Sequence, residues 1–202
     1  MHESLTGATV RDSQGTRWKC VANIRKEWKA DEPEANHYAG DIESVEFIGN
    51  TLLNGGASII WERLITLKPA TGTSGAALQG YSSGNAAIGV GGTSSVAAAV
   101  TQTDMQATAG GDRYIQAMST ASYPSHTDGT SSSGMREVQF QSIFTTSQAN
   151  FAWGEWGIFN DPHSTDPDGA RSLGRMLNRK VEALGTKTSA AVWTFTATLG
   201  LS

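Results

Sequence analysis

The chain holds very little of the chemistry from which most active sites are built. Its 202 residues include one cysteine, Cys20, and four histidines, His2, His37, His126 and His163, each in a separate polar segment. A single cysteine excludes an intrachain disulfide. In its apolar, strand-like surroundings Cys20 reads as a buried thiol rather than a nucleophile or a ligand. The histidines lack the close spacing of a zinc site. Charge is sparse as well, at 17% of residues with a formal net value of -4. The clustered basic face that nucleic acid requires is therefore missing. Arg25, Lys26 and Lys29 form the densest basic group, but Glu27, Asp31, Glu32 and Glu34 surround it, and the stretch reads as solvated surface. No apolar run approaches the ~20 residues of a membrane span, and residues 1–15 carry no apolar signal-peptide core. The expectation is a protein made and folded in a reducing cytoplasm, with no metal, no cofactor, no nucleic-acid partner and no membrane.

Glycine (23 residues), serine, threonine and alanine are plentiful, and 38% hydrophobic residues with six tryptophans are too many for a disordered chain. So few charges imply that much of the surface meets other protein. The clearest pattern lies at 192–201, where Trp193, Phe195, Ala197, Leu199 and Leu201 alternate with Thr194, Thr196, Thr198 and Gly200. A period of two places the large residues on one face of a strand and the threonines on the other. Similar runs at 136–144, 151–159 and 175–184 are separated by turn-rich gaps. Residues 18–25 and 42–48 read as strands, 86–91 as a short buried strand, and 113–118 as a strand or a short helix. One helix is expected at about 51–67, capped by Asn50 or Thr51, with Leu53, Ala57, Ile60, Trp61, Leu64 and Leu67 at helical spacing. Gly55 and Gly56 each cost about 1 kcal/mol there relative to alanine, so they mark either a break or a close backbone contact with a sheet. The fold expected is mainly β, an antiparallel β-sandwich with one α-helix packed against it. Residues 1–17 form a polar N-terminal arm and 18–202 a single β-rich domain.

Candidate chemistry concentrates at 151–159, the run FAWGEWGIF. Glu155 between two tryptophans could be a general acid, or the tryptophans a sugar-stacking platform. A glycosidase needs a second carboxylate at a set distance, and none is marked. Strict alternation places Phe151, Trp153, Glu155, Gly157 and Phe159 on one side and Trp156 and Ile158 on the other. Glu155 then shares a face with aromatics and calls for a partner such as Arg175 or Arg179, so core or subunit interface is the preferred reading. The segment 161–169, DPHSTDPDG, carries three acids and His163 but lacks the distal carboxylate of a calcium loop before Glu182. Its prolines and Gly169 suit a long hairpin connection. The glycine-rich stretch 84–92 lacks the Lys-Ser/Thr of a phosphate loop. No catalytic, cofactor-binding or metal-ligating residue is assigned.

Five segments in order carry a resemblance: GNTLLNGGA at 49–57, AIGVG at 87–91, TQTDMQ at 101–106, ANFAWGEWGIFN at 149–160 and MLNRKV at 176–181. The series resembles small structural proteins of tailed bacteriophages, over roughly residues 45–202. The resemblance implies a virion component without enzymatic activity. The expected role is a head decoration (cement) protein on the outer capsid, bound to the major capsid protein and to itself as a homo-oligomer, a trimer being the first expectation. The alternative is a tail or baseplate fibre-associated protein contacting a host receptor.

Overall fold

The computed structural model describes residues 18–64, 70–71, 77–78, 80–82, 84–92, 96–107, 112–126, 137–160 and 176–201. In chain order the first elements are β1 (Trp18–Trp28), β2 (Ile42–Ile48), β3 (Thr51–Leu52) and the helix α1 (Asn54–Leu64). The two-residue strands β4 (Ala70–Thr71) and β5 (Ala77–Leu78) follow, then β6 (Ala86–Gly91), β7 (Arg113–Ala117) and β8 (Ser125–His126). The long strands β9 (Glu137–Phe144), β10 (Ala152–Asn160), β11 (Asn178–Thr186) and β12 (Ala191–Leu201) complete the order. One sheet runs β2-β1-β12-β9-β8 and a second β3-β11-β10-β6-β7, while β4 and β5 pair with each other. Among the described residues the protein is mainly β, with two five-stranded antiparallel sheets and one α-helix, as the sequence predicts.

In the first sheet, the pattern of β12 becomes burial. Trp193, Phe195, Ala197 and Leu199 are buried, and the intervening threonines are half-buried. β1 pairs with it without a shift from Trp18↔Leu201 to Trp28↔Ala191 and adds Cys20, Ala22, Ile24 and Trp28 to the same face. β1 runs three residues beyond its predicted end at Arg25, because Lys26 also points inward. Its stem lies against the core, and its ammonium sits 4.8 Å from the centre of the Trp193 ring and 3.3 Å from Glu43 Oε1. The basic cluster is thus divided. Lys26 is core, whereas Arg25 and Lys29 stay at the surface, both paired with Glu27. A lysine stem is long enough to pack as a hydrophobe while its charge reaches a carboxylate at the sheet edge.

Two inner strands of the second sheet, β6 and β10, are buried on both sides, which period-two alternation in β10 does not announce. Every residue of β6 is buried, and so is β10 from Trp153 to Asn160. One face packs on the first sheet through Trp156–Phe195 (4.9 Å between ring centres), Trp153–Trp193 (4.7 Å) and Phe144–Trp153 (4.8 Å). On the other, Leu53, Ala87, Met105, Ile115, Phe159 and Met176 form a smaller core.

A β-bulge corrects the alternation expected in β10. The partner of Trp153 is Gly185, but that of Glu155 is Val181, so the register shifts between them. Between those pairs β10 advances two residues and β11 four, and across this irregularity Trp153 lies on the same side as Trp156, toward the first sheet, while Glu155 and Phe159 face away. Sequence alternation had placed Trp153 with Glu155.

The helix begins at Asn54 rather than at 51 and is described as far as Leu64, residues 65–67 of the predicted span lying outside the described residues. Thr51 and Leu52 are taken as a strand by Arg179 and Asn178 of β11, and the Leu53 N–H donates to the Leu177 carbonyl at 2.9 Å. Of the two explanations for the paired glycines, close contact holds at Gly56, where a Cβ would collide with the Leu177 backbone. Of the segment 113–118, Arg113–Ala117 forms a strand. The arm at 1–17, the hairpin connection at 161–169, Arg175, His2 and His163 lie outside the described residues.

Candidate functional site

The Trp-rich run meets its partner inside the protein. Because Glu155 stands opposite Val181, Arg179 lies on the diagonal of the same face, within reach of a long side chain. Glu155 and Arg179 are both 0% exposed. Arg179 Nε donates to Glu155 Oε2 at 2.7 Å, and Nη2 lies 2.6 Å from the same oxygen. The other oxygen, Oε1, accepts the Ala107 N–H at 2.6 Å. Arg179 Nη1 reaches across to the carbonyls of Val96 (3.0 Å) and Ala97 (3.2 Å) and to Gln102 Oε1 (2.9 Å). Gln102 in turn donates to the Ala97 carbonyl and accepts the Ala99 N–H. Arg113 holds Asp104 at 2.9 Å next to Met105, which enters the smaller core. The ion pair therefore clamps segment 96–107 over the second sheet. Of the two partners expected for Glu155, the structure pairs it with Arg179.

This geometry decides what Glu155 can do. A general acid must come within hydrogen-bond reach of the group it protonates. Both oxygens of this carboxylate are already engaged in a sealed interior. The tryptophans offer no open ring face either, since Trp153 and Trp156 are fully buried. The core reading of the run holds. Cys20 is buried too, and burial pushes its thiol up to about 12. His37 stacks on Trp28 with ring centres 3.7 Å apart. Among the described residues, no group of three or more His, Cys, Asp or Glu side chains is placed to hold a metal ion.

Lys187 is the polar group that sequence reading missed. It follows β11 in an ordinary polar hairpin, yet it is 1% exposed. Its Nζ donates to the Thr145 carbonyl (2.7 Å), Asn150 Oδ1 (2.8 Å) and the Thr188 carbonyl (3.3 Å), tying the β9–β10 connection to the β11–β12 turn. No sequence signal separates this lysine from a solvated one, because two of its three acceptors, the Thr145 carbonyl and Asn150 Oδ1, belong to another loop. Burial pushes the ammonium down to about 8 from 10.5. The native state then binds fewer protons than the unfolded chain between those values, so Lys187 adds stability as pH rises from about 8 to 10.5. Cys20 acts in the opposite sense above 9.0. Denaturation midpoints of wild type and Lys187→Met across that window isolate the lysine. The gap between the two proteins should change in favour of wild type on going up in pH, and a constant gap would refute the assignment.

The first sheet turns its other face outward. Thr196 stands opposite both Asn23 and Gln141, and Thr198 stands opposite Gln139. Gln141 Nε2 donates to Thr196 Oγ1 at 3.2 Å and Gln139 Nε2 to Thr198 Oγ1 at 3.4 Å. The result is a rigid face of hydroxyl and amide groups, with the pairs Lys19–Glu137 and Arg25–Glu27 adding opposite charges. Its side chains are already ordered before any partner arrives, which lowers the entropy cost of docking.

No protein-family model, no curated protein and no solved structure matches this chain.

Proposed function

We propose that this protein is a non-enzymatic structural component of a tailed-bacteriophage virion, a decoration protein that binds the outer surface of the head and bridges neighbouring major capsid subunits. The observation that carries the reading is how the protein distributes its chemistry. The reactive groups of the Trp-rich run are sealed and neutralised inside, while a preorganised sheet face of threonine, glutamine and asparagine, its charges set in opposite pairs, is presented outside. Such a division suits docking to protein rather than turnover of a substrate. The ordered segments at 49–57, 87–91, 101–106, 149–160 and 176–181 add the resemblance to phage structural proteins.

Cementing follows from simple energetics. A protein that binds only the assembled shell stabilises it by mass action. A homo-oligomer engages several lattice sites at once, so weak single contacts combine into firm attachment. In this reading the polar arm at 1–17 contributes contacts to the capsid surface.

The test is a copy count in purified particles together with an arm deletion. Decoration requires copies in proportion to the capsid lattice, whereas a count matching the tail would replace this role with the fibre-associated one. A protein lacking residues 1–15 should fold but occupy particles poorly and protect them less from heat. Full occupancy and full protection by that truncated protein would remove the arm from the proposal. Glycan or peptidoglycan cleavage by wild type, lost in Glu155→Gln, would overturn the non-enzymatic reading.

A further inference from the structure

The edge of the first sheet carries a surface that fits itself. β2 has the sequence IESVEFI, and its register with β1 runs unbroken from Val21↔Ile48 to Glu27↔Ile42. The phase of that ladder is set at its two ends. The Trp28 N–H donates to the Asp41 carbonyl (3.0 Å), and the Gly49 N–H to the Cys20 carbonyl (2.8 Å). In an antiparallel pair, bonded positions alternate. Glu43, Val45 and Phe47 therefore bond to β1, and the N–H and C=O groups of Ile42, Ser44, Glu46 and Ile48 point away from the sheet. These same residues are the exposed ones, with Ile48 at 70% and Ile42 at 58%. The Ile48 carbonyl accepts Lys180 Nζ at 3.2 Å, which occupies one of its two lone pairs.

Edge strands are normally blunted by charged side chains, lysine above all, by proline, by a bulge or by an inward-pointing charge. β2 has no lysine, proline or bulge; its inward charge, Glu43, is neutralised by Lys26, and Glu46 is the one charge on its exposed positions. We infer that β2 pairs antiparallel with β2 of a second copy about a two-fold axis at Val45, joining the two first sheets into one continuous sheet. The register is chosen by the side chains. A two-fold axis perpendicular to the sheet keeps both outer faces on one side, so only pairings of residues from the same face are allowed. Centred on Val45, Ile42 of each copy lies opposite Ile48 of the other, Ser44 opposite Glu46, and Glu43 opposite Phe47. The two exposed isoleucines cover each other, and no like charges are opposed. Sliding one step one way sets Glu46 against Glu46. Sliding the other way sets Ile42 against Glu46 and leaves Ile48 alone. Like charges directly opposite are destabilising, whereas apolar cross-strand pairs stabilise. This two-fold arrangement replaces the expected trimer for this contact, and it stands independently of any role on a capsid, whose test is particle occupancy.

The experiment uses the full chain and reads mass and crosslinking. Val45 would form a non-hydrogen-bonded pair with itself, where Cα atoms stand about 4.5 Å apart, within disulfide range. Ser44 and its copy would lie on a diagonal of about 7–8 Å, beyond that range. Under mild oxidation Val45→Cys should give a disulfide-linked dimer and Ser44→Cys should not. The native Cys20 is buried and does not compete. Wild type should sediment as a dimer that dissociates on dilution. Ile48→Lys, at a position exposed in the single chain, should keep the circular-dichroism spectrum and weaken self-association tenfold or more. A monomeric or trimeric mass at the highest concentration reached, or equal crosslinking at positions 44 and 45, would overturn the inference.

Discussion

Arg179→Ala should lower the unfolding free energy by about 3–5 kcal/mol, the scale expected when one partner of a buried ion pair is removed. The loss has two sources. Glu155 would be left buried away from water without its cation, with the Ala107 N–H as its remaining partner among the described residues. The Val96 and Ala97 carbonyls and Gln102 would each lose their hydrogen bond from Arg179, so segment 96–107 would be held less firmly on the second sheet. Urea denaturation measures the first effect, and amide exchange at Ala107 the second. Removing both charges, as Glu155→Gln with Arg179→Met, should recover part of the loss, because neither side chain is then an isolated buried ion. A loss below about 1 kcal/mol for Arg179→Ala would place the pair among solvent-screened contacts and sink the clamp.

Trp193→Ala should cost a similar ~3–5 kcal/mol, this time through a cavity. Trp193 sits edge-on to Trp153, with ring centres 4.7 Å apart, and under the Lys26 ammonium. Its removal opens the centre of the sheet-to-sheet contact and deprives Lys26 of the ring that helps it lie buried. Thr196→Ala, three residues along the same strand on the outward face, should change stability by no more than about 0.5 kcal/mol. Equilibrium denaturation of the two variants is a direct test of the register. Comparable losses would mean that the two faces of β12 are not distinguished by burial.

What was legible followed from local pattern. The extents of β2 and β6 were readable from alternation and from the glycines and turns that bound them. β12 was off by one residue at its start. Errors arose where a distant partner intervened. Thr51 and Leu52 look like the start of a helix until β11 offers them a ladder. Lys26 looks solvated until the Trp193 ring and Glu43 are placed beside it. The Glu155 partner could be narrowed to two arginines, and the bulge-shifted register of β10 and β11 selected Arg179.

The sequence by itself determined that this protein is an antiparallel β fold, which face of β12 is buried, and that Glu155 needs a cation. These are consequences of side-chain period and of the cost of burying a lone charge, both written into neighbouring residues. Only the tertiary structure decided that β10 is covered on both faces, that a register shift accompanies the turn of Trp153 and Trp156 to one side, and that Lys187 is interior. It also decided which backbone groups of β2 face outward. Those outcomes depend on contacts between residues far apart in the chain, and a long-range contact leaves no periodic mark on either of the segments it joins.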